Sequence, residues 1–296
     1  MSDCSSRVRI ATFDAMQKFN TFLLAIICIL SCNRQAIASG SEEKQKTEIV
    51  LTSEIEWEAL NPARGESSPK AGTLWGNRNG NEATGFLAKF VDGFSSPPHI
   101  HNVTYRAVVI SGNIHNDEPQ AEKMWMGSGS FWTQPKGEVH ITAAKGKENI
   151  ALVEIDEGPY LVQDTRDAFD SGERAINIDA SNIVWVTPPE LHPASGGAKV
   201  AYLWGTPEAG LDNGTFIKLP AGFSGYIHST GSTFRVVTIK GQPEYLSGEK
   251  VTLTPGSYFG SSGDTMHKIQ SDAAQESILY VRSNGLYRII PATINK

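Results

Sequence analysis

The chain has 296 residues, a formal net charge of −6 and a pI near 5.7. This acidic balance argues against a nucleic-acid-binding protein, which would need a basic surface. Hydrophobic residues make up 40% and charged residues 20% of the chain, as in an ordinary folded protein, and the 28 glycines and 15 prolines favour many turns over long helices.

The first element in chain order is an apolar run at residues 19–30, which follows a lysine and precedes polar residues ending at Ala38. The run is too short to span a bilayer in the mature protein and predicts a signal peptide within residues 1–40, with Met16 as an alternative start of translation. The residues leading to Cys32 also loosely resemble a bacterial lipobox, which predicts a lipid anchor at Cys32 as the membrane attachment. Both alternatives place the mature protein outside the cytoplasm, periplasmic or secreted, and the sequence does not choose between them.

All three cysteines, Cys4, Cys28 and Cys32, lie within this leader. The mature chain therefore excludes disulfides, cysteine-based zinc sites and thiol nucleophiles. Any metal must be held by histidine, by carboxylate or, less commonly, by tyrosine.

The remainder of the chain contains two copies of one unit, which recur 129 residues apart without a gap. Matching residues include Leu74-Trp75-Gly76 and Leu203-Trp204-Gly205, Gly93 and Gly222, His99 and His228, Arg106 and Arg235, and Gly112 and Gly241. Short runs rich in aromatic and β-branched residues predict β-strands in both copies, and a unit of about 125 residues with many short strands predicts a barrel or sandwich. The most helix-like segment, residues 164–174, lies between the copies and is interpreted as a linker.

The first copy carries two histidines one residue apart. Residues two apart on a β-strand share a face, so His99, His101 and Tyr105 are expected to project together. A third histidine, His140, follows a Pro-x-Gly turn in the same copy. Two histidines on one strand are compatible with a chance surface pair, whereas a third at motif spacing predicts a metal site.

These spacings resemble the two motifs of the cupin superfamily. The residues that match are Gly93, His99, His101 and Gly112 for the first motif, and Gly129, Pro135, Gly137 and His140 for the second. Because the unit occurs twice, the chain resembles a bicupin, most similar to ChrR-like cupin domains and to bacterial bicupins of unassigned function. The resemblance implies an all-β fold of two tandem double-stranded β-helix, or jelly-roll, barrels over residues 41–165 and 166–296.

The chain departs from the family pattern at two positions of the first copy. Tyr105 stands where the family has a metal-binding glutamate, and Ala144 stands where it has an asparagine. The resemblance thus implies one divalent ion, with Fe, Zn and Mn as candidates, held by the three histidines of the first barrel without a carboxylate. Tyr105 is the candidate catalytic residue, either as a ligand or as a hydrogen-bond donor beside the ion.

The second copy keeps fewer of these residues. His228 and His267 are assigned to the positions of His99 and His140, while Thr230 replaces the second histidine and Phe234 replaces the glutamate. We interpret this barrel as degenerate, with a weak second site at His228 and His267 as the alternative.

A histidine and two tryptophans outside the candidate ligands are interpreted as structural or solvated residues. His115 is placed in a solvated turn after Gly112, and the repeated Trp75 and Trp204 are placed in the core.

Two classes of function remain. A three-histidine ion with open coordination positions favours a metal-dependent enzyme acting on a small molecule, dioxygenase-like with iron and hydrolase or lyase with zinc. The alternative is a non-enzymatic cupin that binds or senses a metal or small molecule. The two copies are expected to pack against each other, and further homo-oligomerisation is left open.

Overall fold

The computed structural model describes residues 47–188 and 197–292. The predicted leader, with Met16, Cys32 and Ala38, lies outside this part of the chain. Across the described ranges, no helix combines the length and the apolar character needed to cross a membrane.

Twenty β-strands and four short 3-10 helices make up the described regular structure, as expected for segments rich in β-branched and aromatic residues. The strands of the first half are β1 (Glu48–Val50), β2 (Glu58–Ala59), β3 (Lys70–Trp75), β4 (Thr84–Phe90), β5 (Ile100–His101), β6 (Tyr105–Asp117), β7 (Phe131–Gln134), β8 (Ile141–Ile155) and β9 (Val162–Gln163). The strands of the second half are β10 (Ile176–Ile178), β11 (Lys199–Gly205), β12 (Asn213–Leu219), β13 (Ser224–Ser229), β14 (Phe234–Lys240), β15 (Glu244–Ser247), β16 (Glu249–Thr252), β17 (Tyr258–Ser261), β18 (Thr265–Gln270), β19 (Ser277–Ser283) and β20 (Tyr287–Pro291). The 3-10 helices are η1 (Thr52–Glu54), η2 (Pro62–Ser67), η3 (Thr165–Asp167) and η4 (Ala180–Asn182).

Each half forms one large sheet and one smaller sheet. In the first half, the order β10-β7-β6-β8-β4-β3-β2 faces the two-stranded sheet β5-β9. In the second half, the order β1-β17-β14-β19-β12-β11 faces the five-stranded sheet β16-β15-β18-β13-β20. All of the described strand pairs are antiparallel, so the prediction of an all-β fold with tandem jelly-roll barrels is confirmed.

Each half contributes its first strand to the large sheet of the other half. β1 pairs with β17, and β10 pairs with β7, each in antiparallel register. The two exchanged strands occupy the same place in the two sequence copies. Each large sheet therefore contains one strand from the other side of the predicted domain boundary at residue 165. The boundary itself stays a prediction.

Three clusters of buried side chains stabilise the fold. One fills the interior of the first half and includes Phe86 and Val153, and another fills the second half and includes Phe259 and Leu279. The third cluster joins the halves, and its members include Leu87, Val108, Phe131, Phe216, Val237 and Tyr280. The large sheets are thus buried on both faces, which explains why β6, β8 and β19 lack a simple alternation of polar and apolar residues.

Of the repeated tryptophans, Trp75 is buried in this third cluster, as predicted, whereas the partly buried Trp204 packs against it. Trp75 covers Gly85, where an added Cβ atom would meet the indole ring at 2.0 Å. The guanidinium of Arg235 lies 5.3 Å from the ring centroid of Trp75, and that of Arg106 lies 3.8 Å from the ring centroid of Trp204. Each half thus places its repeated arginine over the tryptophan of the other half, which accounts for both repeated residues by packing.

The interpretation of the segment around Gly112 and His115 is wrong. His115 is 1% exposed rather than solvated, because β6 passes Gly112 and pairs with β8 as far as Asp117. Gly112 does not end the strand; it marks an irregularity within it, with φ of 76°. The segment at residues 164–174, interpreted as a linker, contains the single turn η3.

Candidate metal centre

The structure brings the three predicted histidines together. His99 and His140 form an antiparallel bridge in which each backbone N–H donates to the carbonyl of the other, at 3.1 and 3.0 Å. Directly opposed residues share a face, and His101 lies two residues beyond His99 on that face. One ring nitrogen from each of the three lies within 4.8 Å of the other two, close enough to share one ion.

The Pro-x-Gly turn fixes the position of His140. Gly137 has a φ of 77°, a backbone conformation that side chains disfavour, and a Cβ atom there would lie 2.6 Å from the carbonyl oxygen of Phe169. The Gly137 N–H donates to the carbonyl of His101 at 2.8 Å. The turn thus ties the strand of His140 to the strand of His101.

Each of the three imidazoles directs its Nδ1 atom at a backbone carbonyl. His101 donates to Leu161 at 2.8 Å, His99 to Pro97 at 2.9 Å and His140 to Glu138 at 3.3 Å. A carbonyl oxygen can only accept, so each Nδ1 carries the proton and each Nε2 keeps its lone pair. This is the tautomer of a histidine that ligates a metal through Nε2.

The histidines are neutral at physiological pH. Burial lowers the pKa of His101 to about 3, with a further decrease from the neighbouring His99, and a raising effect of the hydrogen bond to Leu161. Burial, and then the other two imidazoles, hold the pKa of His140 well below its usual value. The pKa of the partly buried His99 is also lowered by burial. Neutral imidazoles are the form that binds metals.

The donor set fits a divalent ion. His140 is 1% exposed, and its Nε2 has no hydrogen-bond partner. A buried acceptor without a partner is costly, and a shared ion would satisfy it. The cluster and its chemistry thus point to a divalent metal whose identity the histidines do not determine.

Tyr105 lies beside this cluster with its hydroxyl directed away from it. Its ring makes an edge contact with His101 at 5.2 Å between centroids, while its hydroxyl donates to Asn116 at 2.9 Å. Asn116 also accepts from Thr142 at 2.8 Å and donates to Gln134 at 2.9 Å. Burial raises the pKa of Tyr105 to about 12, so its hydroxyl stays protonated. This network of buried side chains supports the wall of the site behind the histidines.

A second tyrosine at the site was missed by the sequence analysis. Tyr160 stacks on His101 with 4.5 Å between ring centroids, and its hydroxyl lies 3.2 Å from the Nε2 atom of His101. Burial, followed by the nearby Tyr105, raises its pKa well above the usual value. Tyr160 lies outside both motifs, so no spacing marks it. Asn116 also lies outside both motifs, in the segment after Gly112 that the sequence analysis interprets as a turn.

The structure does not bring His228 and His267 together. In the pairing of β13 with β18, His228 is opposite Met266, and His267 is opposite Ile227. Ile227 and His267 are fully buried, whereas Met266 is 48% exposed. The two histidines therefore project from opposite faces of the sheet.

His267 is buried like His140, but the residue opposite it differs from the first half. Gln134 and Ser261 hold equivalent places, opposite Tyr105 and Phe234. Six residues further along, His140 is opposite His99, whereas His267 is opposite Ile227, so the pairing in the second half is shifted by one residue and His228 is the histidine turned to the other face. A shift of one residue reverses the face that each side chain occupies.

The buried His267 is satisfied without a metal. Its Nδ1 lies 2.8 Å from the hydroxyl of Tyr245, and its Nε2 lies 2.9 Å from the hydroxyl of Ser261. Its ring stacks on Phe234 at 5.2 Å. A cavity of about 290 Å³ lies near Phe234, Arg235 and Ser261, but neither His228 nor His267 lines it.

Comparison with known protein families identifies the family of this chain. A family model described as "Domain of unknown function (DUF4437)" matches residues 48–290, which include both halves and the histidine cluster. The chain belongs to the DUF4437 family. No curated protein matches this DUF4437 chain.

Solved structures similar to the DUF4437 chain share its cupin fold. A candidate dioxygenase from Nostoc punctiforme has 11% identity and a TM-score of 0.63, over 84% of this chain and 88% of its own. A variant of the salicylate 1,2-dioxygenase from Pseudoaminobacter salicylatoxidans, in complex with gentisate, has 11% identity and a TM-score of 0.53, over 97% and 98%. Vicilin from hazelnut (Corylus avellana) has 10% identity and a TM-score of 0.53, over 82% and 87%. At these identities the likeness shows the fold alone.

Proposed function

We propose that the protein is a bicupin enzyme that uses one divalent metal ion in its first half for dioxygenase-like chemistry on a small molecule. The observation that carries the proposal is the hydrogen bonding of the three histidines. All three Nδ1 atoms are bound to backbone carbonyls, which leaves three Nε2 atoms for an ion. The similar folds of a candidate dioxygenase and of a salicylate 1,2-dioxygenase support the same chemistry.

The histidines would hold the ion, and neutral ligands alone would leave its charge undiminished. Such an ion supplies Lewis acidity and, if it is iron, the capacity to activate oxygen. Three protein ligands leave open positions for a substrate that chelates the ion, as in catalytic rather than structural sites.

The surroundings would keep the reaction apart from bulk water. Phe86 and Val103 are buried in the apolar cluster that also contains Tyr105, which contacts His101, and Phe90 and Met124 pack against this cluster. The Tyr105 and Asn116 network supports the wall of the site and places no carboxylate there. A small, partly apolar substrate with an anionic oxygen would complement this site.

The proposal is tested by bound metal in residues 41–296, purified without a histidine tag or chelator. Mass spectrometry is expected to find about one equivalent of a divalent metal in the native protein and none in the His140→Ala variant. The matched control is His267→Gln, which removes a buried histidine from the second half and should retain the metal. Absence of metal, or retention in His140→Ala, would sink the proposal.

A binding protein without turnover is the second candidate. It is favoured by the second half, which keeps the barrel but not the histidine cluster, and by the likeness to vicilin, which bears no enzyme name. Oxygen consumption by the metal-loaded protein, measured with a panel of small chelating phenols and acids, separates the two. Saturable affinity without oxygen uptake would favour the binding protein.

Export is a further part of the proposal and rests on the sequence. The apolar run at residues 19–30 supports a secreted or periplasmic protein, cleaved after Ala38 or lipidated at Cys32. A ChrR-like relationship is likewise proposed from the sequence pattern.

A further inference from the structure

The hydroxyl of Tyr160 has a single hydrogen-bond partner in the described structure, and that partner is a candidate metal ligand. The oxygen lies 3.2 Å from the Nε2 atom of His101. Since Nδ1 of His101 carries the proton, Nε2 accepts and the Tyr160 hydroxyl donates. The ring is held between two contacts, stacked on His101 and edge-on to Phe86 at 5.3 Å.

A bound ion would remove this acceptor. An Nε2 atom that gives its lone pair to a metal can no longer accept the hydrogen bond from Tyr160. The ring contacts leave the hydroxyl beside the ion with a proton to donate, and a donor without a partner in a largely desolvated place is costly. The nearest new acceptor would be whatever occupies the open coordination position.

The geometry favours donation over ligation. The planes of Tyr160 and His101 are inclined by 21°, so the phenol lies over the face of the imidazole. A metal bound to Nε2 lies in the imidazole plane, along the nitrogen lone pair. The oxygen therefore lies off the lone-pair axis of Nε2, so its hydrogen bond to that atom is a weak one at 3.2 Å and it stands beside, rather than on, the position of an ion bound there.

We propose that Tyr160 positions the exogenous ligand of the first-half metal centre by donating a hydrogen bond to it. The ligand class is an anion that coordinates the ion and still accepts a hydrogen bond, such as a carboxylate or phenolate oxygen. This inference rests on the proposed metal site and adds a selection for anionic substrates. Tyr160, rather than Tyr105, is then the tyrosine whose hydroxyl faces the substrate.

The test uses azide as a small coordinating anion and cobalt(II) as a metal whose visible spectrum reports its ligands. Native protein, Tyr160→Phe and the control Tyr287→Phe are loaded with cobalt(II) and titrated with azide. Tyr287 is matched because its hydroxyl also makes one hydrogen bond, at 2.6 Å to Thr215, but in the second half. Tyr160→Phe keeps the ring contacts and is expected to bind one cobalt with an azide Kd raised on the order of tenfold. Tyr287→Phe should match the native protein.

Each other outcome has a distinct meaning. Equal azide affinity in the native protein and Tyr160→Phe, with one cobalt bound in both, overturns the inference and leaves the metal site intact. A phenolate-to-metal charge-transfer band in the iron(III) form of the native protein that is lost in Tyr160→Phe also overturns it, because Tyr160 would then be a ligand. Failure of the native protein to bind cobalt is a failure of the proposed function itself, and the inference fails with it.

Discussion

Two buried histidines in equivalent regions of the two halves differ in their hydrogen bonding. His140 keeps one nitrogen bonded to a carbonyl and the other without a partner, whereas both nitrogens of His267 face hydroxyls. A histidine whose two ring nitrogens both have hydrogen-bond partners can pack in a core, and a bound ion would add no stability to it. An unpartnered, buried Nε2 is stable only if something else supplies the partner. At the residue scale, hydrogen bonding separates ligand from core histidine where the sequence does not.

The first prediction concerns the pH dependence that His267 imparts. Burial lowers its pKa to about 4, so between about pH 4 and 6.5 the unfolded chain binds more protons at this residue than the folded chain does. The contribution of His267 is therefore fully present above pH 6.5 and is lost as the pH falls towards 4. We expect a loss on the order of 3 kcal/mol across this range. Urea unfolding of metal-free protein at pH 7 and pH 4.5 measures it.

The control for this measurement is His267→Gln, which keeps hydrogen-bonding groups but does not titrate. The free energy of unfolding should fall less steeply with decreasing pH in this variant than in the native protein. The histidines of the first half contribute equally to both, so the difference isolates His267. Parallel pH profiles for the two proteins would show that His267 is not held neutral by burial.

At the scale of elements, the exchanged strands link the halves. Ile49 of β1 is opposite Phe259 and packs against the interior of the second half, while Val50 packs against the cluster between the halves. A chain beginning at residue 51 should lose on the order of 3 kcal/mol of unfolding free energy relative to one beginning at residue 47. It should also expose the edge of β17 and aggregate more readily. Equal urea midpoints would show that β1 adds no stability.

The sequence predicted the elements more reliably than their pairing. Two spaced motifs were enough to locate His99, His101 and His140, because a strand repeats every two residues and a Pro-x-Gly turn has one geometry. The exchange of β1 and β10 could not be predicted, since the two strands are copies and either sheet edge accepts either strand. The reversed face of His228 depends on a shift of one residue between the paired strands, which only the strand pairing reveals. Tyr160 reaches the site from a segment without a motif.

At the scale of the whole molecule, the interface between the halves contains a buried charge cluster. Glu154 and Arg282 are opposite the equivalent glycines Gly85 and Gly214, so they hold the same place in the two halves. Both are almost fully buried, with 3.7 Å between the closest charged atoms, and Glu154 accepts a hydrogen bond from Tyr280 at 2.6 Å. The same position thus carries a negative charge in the first half and a positive charge in the second half. The stability of each half therefore depends on a charged residue of the other half.

Replacement of Arg282 by methionine would remove the larger of the two positive influences on the buried Glu154. Burial already raises the pKa of Glu154, and the arginines Arg282 and Arg106 counteract that increase. We expect Arg282→Met to lower the free energy of unfolding by about 3–5 kcal/mol at neutral pH, and Glu154→Gln/Arg282→Met to recover part of that loss. The exposed Arg288→Gln is the control for loss of one positive charge and should change stability by less than about 0.5 kcal/mol.

The stability cost of Arg282→Met should also depend on pH. A carboxyl group whose folded-state pKa is raised binds more protons in the folded than in the unfolded chain, so its unfavourable contribution grows as the pH rises. Loss of Arg282 would raise the pKa of Glu154 further, and the cost of Arg282→Met should therefore be larger at pH 8 than at pH 5. Urea unfolding at both pH values measures the difference. A cost that is independent of pH would mean that Arg282 acts through its packing against Trp204, 5.5 Å from the ring centroid, or through its ion pairs with Asp156 and Asp212, rather than through Glu154.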